Sequence, residues 1–397
     1  MRDTPEQSEL RASVRSLLAR HEGHAAWRPL TEQIGAAALA VPEEQGGLGC
    51  GLPEQAVVAE ESGRALSPLP YLGSAVLAAT ALAEAAAPFP PGLAAGTRVA
   101  ALAWAEAGGW EPEAITTTAT RAASGGEGGP DAGGRAAASG PAGAGVRAPA
   151  AAPPRDDASG RTHAAAAGGL PGPAWYLTGV KEYVLAGPGT PDHLYAFART
   201  GSGGRLGLFA LDGPGVGWAA VPALDRTRPL GRVVLDRAHA RLLCGDGERV
   251  LARVRDVGAV ALAAECVGAA GRALELTVRY AKDRVQFGRP IGAFQAVKHR
   301  LADLHAEVEG ARSLARAAAH ADGTPAFPRL AAAAKSACTE AYRTVAAETV
   351  QLHGGIGITW EHPAHDHLKR AHGAALLLGS PEAHRARLAT LLGLNAA

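Results

Sequence analysis

Two short segments in the C-terminal third carry residue types suited to holding an anionic cofactor. In the first, Arg284, Gln286 and Phe287 lie where a helical stretch ends, followed by the stop residues Gly288 and Pro290. A basic residue at a helix C-terminus offsets the helix dipole, and an aromatic beside it is an ordinary packing anchor. The same pair can also neutralise a pyrophosphate and cover part of a cofactor. The second segment, Gln351-Leu352-His353-Gly354-Gly355-Ile356-Gly357, follows another helical stretch about 65 residues further on. Its glycines let backbone N–H groups approach a phosphate or ribose, although a lone Gly-Gly-x-Gly also marks many plain helix ends. A third cluster, His362, His365 and His367, has offsets that could converge on zinc. Pro363 interrupts it and no fourth ligand is evident, so no metal is expected.

These residues need elements to position them, and the chain reads as helical, then strand-rich, then helical. Residues 5–38 and 53–87 are Ala- and Leu-rich with apolar positions near helical spacing. A Pro/Gly turn at 41–49 separates them, and Pro88-Phe89-Pro90-Pro91 closes the section. Short β-prone runs then follow: Val99–Trp104, Ile115–Thr120, Trp175–Thr178, His193–Phe197, Leu206–Leu211 and Gly231–Leu235. Their turn-punctuated spacing suggests a small all-β domain. Residues 122–173, built mainly of Ala, Gly and Pro, have too little apolar side chain to offset chain entropy and are expected to be a disordered loop within it. From residue 247 the chain is helical again, with 257–283, 294–321 and 330–352 long enough for an antiparallel bundle. The expected domains are therefore 1–98, 99–246 and 247–397.

Composition narrows the function classes. At 397 residues the chain has ample length for a buried core. A net charge of +1, from 39 basic and 38 acidic residues, argues against a broad nucleic-acid footprint. No uninterrupted apolar run reaches ~18 residues, so no membrane span is expected, and the polar N-terminus does not resemble a secretory signal. Cys50, Cys244, Cys266 and Cys338 lie far apart, which reads as free thiols in a reducing cytoplasm.

Residues 284–303 and 351–361 together closely resemble the flavin-binding half of an acyl-CoA dehydrogenase, and residues 34–64, with their Pro-Glu-Glu and Gly-Gly-Leu-Gly turn, resemble that family's helical domain. The resemblance covers nearly the whole chain outside the low-complexity segment. It implies an N-terminal all-α domain, a middle small β-barrel domain and a C-terminal four-helix bundle. It also implies FAD, an acyl-CoA thioester substrate, an electron-transfer acceptor and assembly with other subunits. Carried onto this sequence, the FAD contacts fall on Arg284, Gln286, Phe287, Gln351, Gly354, Gly355 and Ser380.

Desaturation at the α,β position requires a base for the α-proton and a hydride acceptor. The family's base follows in a Tyr-Glu-Gly-Thr motif, and here that stretch reads Leu377-Leu378-Gly379-Ser380. Leu378 offers only its backbone N–H to a thioester carbonyl. The family's alternative base position, counted back from Arg284, is Gly258, and its companion arginine is Ala259. Glu265, seven residues on, shares that helix face at ~10 Å and is a weak candidate, while Asp256 points about 160° away and reads as a solvated helix-start carboxylate. In the β-domain, the flavin-ring signature becomes Lys181-Glu182-Tyr183-Val184-Leu185, and the Ser/Thr-Glu signature becomes Ala101–Trp110. Tyr183 can still stack, but Leu185 lacks a hydroxyl. In the family each flavin lies between two subunits. The losses here fall on the half a subunit builds for itself, and the intact motifs on the half it builds for a neighbour. The chain is therefore expected to complete the FAD site of a second acyl-CoA dehydrogenase-like subunit. The alternatives are a self-sufficient homo-oligomeric dehydrogenase with a relocated base, and a flavin-free scaffold.

Overall fold

The computed structural model describes residues 3–122, 174–201 and 204–394. The segment expected to be a disordered loop, 122–173, lies outside the described residues from 123 onward. The N-terminal layer contains α1 (Pro5–Arg20), α2 (Trp27–Ile34), α3 (Leu52–Arg64) and α4 (Ala79–Glu84). A capping box sets the start of α1: the Gln7 N–H donates to Thr4 Oγ1, and the Thr4 N–H to Gln7 Oε1. The two expected helical stretches are each broken in two. In the second, Pro68 and Pro70 forbid a continuous helix. The chain resumes in a π-wound run, Tyr71–Ala78, that leads into α4.

The middle domain holds β1 (Ala100–Ala103), β2 (Thr118–Arg121), β3 (Trp175–Val184), β4 (His193–Thr200), β5 (Leu206–Leu211), β6 (Val216–Val221) and β7 (Leu230–Cys244). Pairing runs β4-β2-β3-β7-β5 and returns from β5 to β4, so the sheet closes into a small barrel. β1 and β2 pair with successive stretches of β4, and β6 adds to β7. β6 is absent from the sequence expectation because its Val-Gly-Trp-Ala-Ala-Val run lies on the outside with no buried residue. β7 runs well past the expected 231–235. It turns around the barrel at a bulge, where Arg237 takes φ +46° and the register with β3 shifts.

The C-terminal bundle contains α5 (Gly247–Asp283), α6 (Gln295–His320), α7 (Phe327–His353), α8 (Ala364–Leu376) and α9 (Pro381–Leu391). A two-stranded hairpin, β8 (Val285–Gln286) and β9 (Arg289–Pro290), joins α5 to α6. α5 packs on α6, α7 and α8, while α9 lies against α7. α5 is long and apolar enough to cross a membrane, but 89% of its most apolar window is buried inside the protein. Residues 256–270 of α5 are buried without a break. One face meets the bundle and the other meets α3.

The crossing of α3 and α5 is backbone against backbone. A Cβ on Gly63 would lie 1.9 Å from the Glu265 carbonyl oxygen, and a Cβ on Gly268 would lie 1.7 Å from that of Glu60. No side chain fits at either point without separating the helices. Gly268→Ala is therefore expected to destabilise the fold by about 1–3 kcal/mol or more, read as a lower urea midpoint at unchanged slope. An unaltered midpoint would show that the crossing yields freely.

Candidate functional site

The two glycine- and arginine-bearing motifs come together at one end of the bundle. α5 ends at Arg284, whose N–H still bonds to the Tyr280 carbonyl at 2.8 Å. The β8–β9 hairpin then projects from the surface, with Phe287 (φ +53°) and Gly288 (φ +75°) at its tip. Phe287 is 91% exposed, supported only by an edge-on contact with Phe294 whose ring centroid is 6.1 Å away. Arg289 lies over the other ring, 4.1 Å from the Phe294 centroid. The Gln286 amide donates to the Val285 carbonyl, and Arg284 has no carboxylate partner among the described residues. Nothing on α6 before Leu304 is buried, so its first two turns are bare as well.

The glycine loop is pinned beside this hairpin. His353, the last residue of α7, stacks on Tyr280 of α5 at 4.4 Å and meets the tilted ring of His362 at 4.2 Å. Its Nδ1 donates to the Thr349 carbonyl at 2.6 Å, and Tyr280 Oη donates to the His353 carbonyl at 3.3 Å. Gly354 then turns with φ +61° and ψ −141°, a conformation only glycine adopts readily. No atom lies within 4 Å of where a side chain on Gly354 or Gly355 would begin. The loop backbone is thus open outward, flanked by exposed Ile358 and Trp360. The other two histidines diverge: His365 meets the edge of Trp360, and His367 shares a hydrogen bond with Tyr342.

Far along α5 from this end lies the turn between α8 and α9. Leu378 sits there at φ +61° and is 4% exposed. Its Cδ1 is 3.1 Å from where a side chain on Gly258 would begin, and Leu77 Cδ2 is 2.6 Å from the same point. The two base positions that the family resemblance implies, Leu378 and Gly258, meet in space, and hydrocarbon from Leu378 and Leu77 fills the gap between them. The turn itself is gripped through its carbonyls. Lys335, fully buried, donates to those of Ala374, Ala375 and Gly379 at 3.3, 3.2 and 3.0 Å. His384 Nε2 donates to that of Leu378 at 2.9 Å. Burial pushes the Lys335 ammonium down to about 8 and the His384 ring to about 4. Ser380 Oγ accepts the Ala383 N–H at 3.2 Å and so serves as the N-cap of α9. The grip by Lys335 was not seen in the sequence. Its one signal is a single lysine in an otherwise small and apolar stretch, residues 331–338.

Comparison with known proteins matches these features. Residues 4–97 fit the model of the acyl-CoA dehydrogenase N-terminal domain, and residues 245–392 that of the acyl-CoA dehydrogenase C-terminal domain. Acyl-CoA dehydrogenase IpdE2 of Mycobacterium tuberculosis is 37% identical over 391 residues, covering 95% of this chain and 94% of that protein. The chain belongs to the acyl-CoA dehydrogenase family. Among solved structures, a variant of the Tcur3481-Tcur3483 steroid ACAD aligns with TM-score 0.74 at 29% identity, covering 98% of both chains. The ChsE4-ChsE5 complex of Mycobacterium tuberculosis aligns with TM-score 0.74 at 25% identity, covering 100% of this chain and 99% of that one.

Members of the acyl-CoA dehydrogenase family are FAD-dependent oxidoreductases, and the bundle end described above fits one half of a flavin site. Arg284 brings an unneutralised positive charge, Gly354 and Gly355 bring uncovered backbone, and Phe287 brings a bare ring, which together suit a pyrophosphate and its flanking groups. The barrel side of this chain fits less well. Leu185 is buried, with its carbonyl 2.1 Å from where a side chain on Gly73 would begin, and it offers no hydroxyl to a flavin ring.

The carboxylates near the site are committed elsewhere. Glu265 is buried between Arg228 and Arg370, its Oε1 accepting from Arg228 and from Arg370 Nη2 at 2.9 Å. Burial alone would raise its pKa, but the two guanidinium groups hold it below the ordinary range, which makes it a poorer proton acceptor. Asp256 is neither solvated nor at a helix start. α5 begins nine residues earlier, at Gly247, and Asp256 is buried against Arg387 at 2.6 Å. In the barrel, Glu106 receives Lys181 Nζ at 2.6 Å together with the N–H and hydroxyl groups of Thr116 and Thr117. Burial opposes its charge, yet Lys181 and the threonines bring its pKa down to about 2. Burial takes Lys181 down to about 8, so the pair is ionised between those values.

Two outcomes follow from these pairings. Glu265→Gln leaves two arginines facing a neutral group and is expected to cost about 3–5 kcal/mol of folding stability, measured by chemical denaturation. Stability unchanged from the parent would refute this. For Glu106, the folded pKa lies below the unfolded value, so its contribution is complete above about pH 4.5 and disappears as pH falls through about 2. The stability difference between the parent and Glu106→Gln should therefore shrink steadily over that window. A difference that stays constant with pH would refute it.

Proposed function

We propose that this chain acts in α,β-desaturation of acyl-CoA thioesters by completing the FAD site of a second, catalytically complete acyl-CoA dehydrogenase-like subunit. It lends Arg284, Gln286, Phe287, Gln351, Gly354 and Gly355 to the cofactor held by that partner. The observation that carries this reading is the distance along α5. Gly258, against which Leu378 packs, and Arg284 are 26 residues apart on one continuous helix and its C-cap, about 39 Å at 1.5 Å per residue. One chain cannot bring both ends to the same flavin, so the outward-facing motifs need a second subunit. The end that would belong to this chain's own site presents Leu77, Gly258 and Leu378, none of which accepts a proton.

FAD, when bound, supplies the acceptor for the β-hydrogen. This chain's residues hold and neutralise: Arg284 balances phosphate charge, Phe287 excludes water, and the Gly355 backbone N–H donates a hydrogen bond, the Gly354 N–H being held by the Gln351 carbonyl. Proton abstraction falls to the partner, and an electron-transfer acceptor would take up the electrons that FAD, when bound, receives. The steroid ACAD and the ChsE4-ChsE5 complex among the structural neighbours support a two-component assembly acting on bulky acyl groups. A relocated base at Glu265 is less favoured, because its carboxylate is locked between two arginines.

The test is the flavin-to-chain ratio in the chain purified alone and with candidate partners. The paired complex should hold half as many flavins as chains, and Arg284→Gln in this chain should weaken its FAD binding about tenfold or more, the scale of a charge-assisted hydrogen bond. One flavin per protomer and full desaturase activity from the chain alone would overturn the proposal.

A further inference from the structure

The barrel loop between β1 and β2 reaches across the chain's own side of the site. Its base is a tight turn in which Glu106 and Gly109 exchange both backbone hydrogen bonds, at 3.2 and 2.9 Å, with Gly109 at φ +112°. The buried Glu106–Lys181 pair fixes that turn to β3. Its far end is held by Arg199, whose Nη2 donates to the Pro112 carbonyl at 2.9 Å and whose Nε donates to that of Ile115 at 3.0 Å. Between these anchors stand Trp110 and Glu111.

Trp110 stacks on Tyr183, centroid to centroid 6.1 Å with 26° between the planes. Trp104 meets Trp110 edge-on at 5.2 Å and donates its indole N–H to the Trp110 carbonyl at 3.2 Å. Tyr183 is itself held at φ +56°. The aromatic face that the sequence offers for stacking a flavin ring is therefore paired with an indole of the same chain. The next residue, Glu111, crosses to the bundle. Its Oε2 accepts from Arg255 Nη2 at 2.5 Å, and its Oε1 lies 3.8 Å from where a side chain on Gly379 would begin, one residue beyond Leu378. Arg255 is on α5, one turn before Gly258.

We infer that Trp110 and Glu111 form a strap that closes this chain's own flavin-ring slot and thereby decides which side of a subunit pair carries the cofactor. The inference rests on the proposed partner role and adds the residues that enforce it. The ring stack occupies one face of Tyr183, which stays 44% exposed, and the Glu111–Arg255 ion pair ties barrel to bundle beside Gly379, one residue beyond Leu378. Loss of a base would explain lost turnover only. A strap explains exclusion of the flavin itself.

The experiment uses the full chain in complex with its partner, titrated with FAD and followed by flavin fluorescence and by flavin released on denaturation. The Trp110→Ala, Glu111→Ala double variant should take up FAD beyond the parent stoichiometry, with at least tenfold tighter binding at the added site. Arg255→Ala, which keeps all three rings, should shift binding in the same direction by less and covers the case in which the double variant fails to fold. Uptake identical to the parent in both folded variants would overturn the strap and leave the partner reading intact. A parent complex that already holds one flavin per chain would overturn both.

Discussion

Everything in this molecule is hung on α5. It is 37 residues long, about 55 Å at the α-helical rise, and it touches the N-terminal layer, the barrel and the rest of the bundle. The contact with α3 admits no side chain at Gly63 or Gly268, which makes it close, stiff and intolerant of sliding. With α3 seated there, the π-wound run after it brings Leu77 to Gly258 and sets Gly73 against the Leu185 carbonyl. One backbone crossing thus registers three parts of the fold around Gly258. The other end of the same rod delivers Arg284 and Tyr280 to the glycine loop. Because a helix is rigid, Gly258 and Arg284 are held apart as firmly as they are held in place.

Charge is used mainly as internal fastening. Glu265 with Arg228 and Arg370 and Glu106 with Lys181 are buried groupings, and Asp256 is buried against a half-buried Arg387. Buried pairs of this kind do little for net stability compared with well-packed hydrocarbon, but each is costly to break. Arg228 with Glu265 ties the barrel to the bundle, the other pairs fasten segments within the barrel or within the bundle, and all of them remove these carboxylates from proton chemistry. Arg284 and Arg289 have no carboxylate partner among the described residues and stand exposed at one end of the bundle.

Lys335 shows how firmly the turn that carries Leu378 is held. A lysine buried among three carbonyls at the C-terminus of α8 satisfies acceptors that the helix end leaves open. With His384 it holds Leu378 in a left-handed conformation that a leucine takes up only under constraint. The turn is built with the care of an active-site turn, and what it presents is a methyl group against a glycine.

Much of this was legible in the sequence. The order of helical, strand-rich and helical regions follows from residue texture, and the runs at 193–197 and 206–211 announce themselves through aromatic and leucine content. The arginine and glycine motifs and the hydrocarbon at 378 can be read directly, since residue type alone decides whether a side chain can carry charge or take a proton. The sequence could not show β6, whose residues face outward, or that Asp256 is buried, because burial depends on Arg387 folding back from 131 positions away. Nor could it show that Gly258 and Leu378 touch, that Glu265 is clamped, or that Trp110 covers Tyr183. Those are contacts between segments remote in the chain. Residue identity determined which chemistries were available to this protein, and only the packing of distant segments decided which groups remain free to perform them.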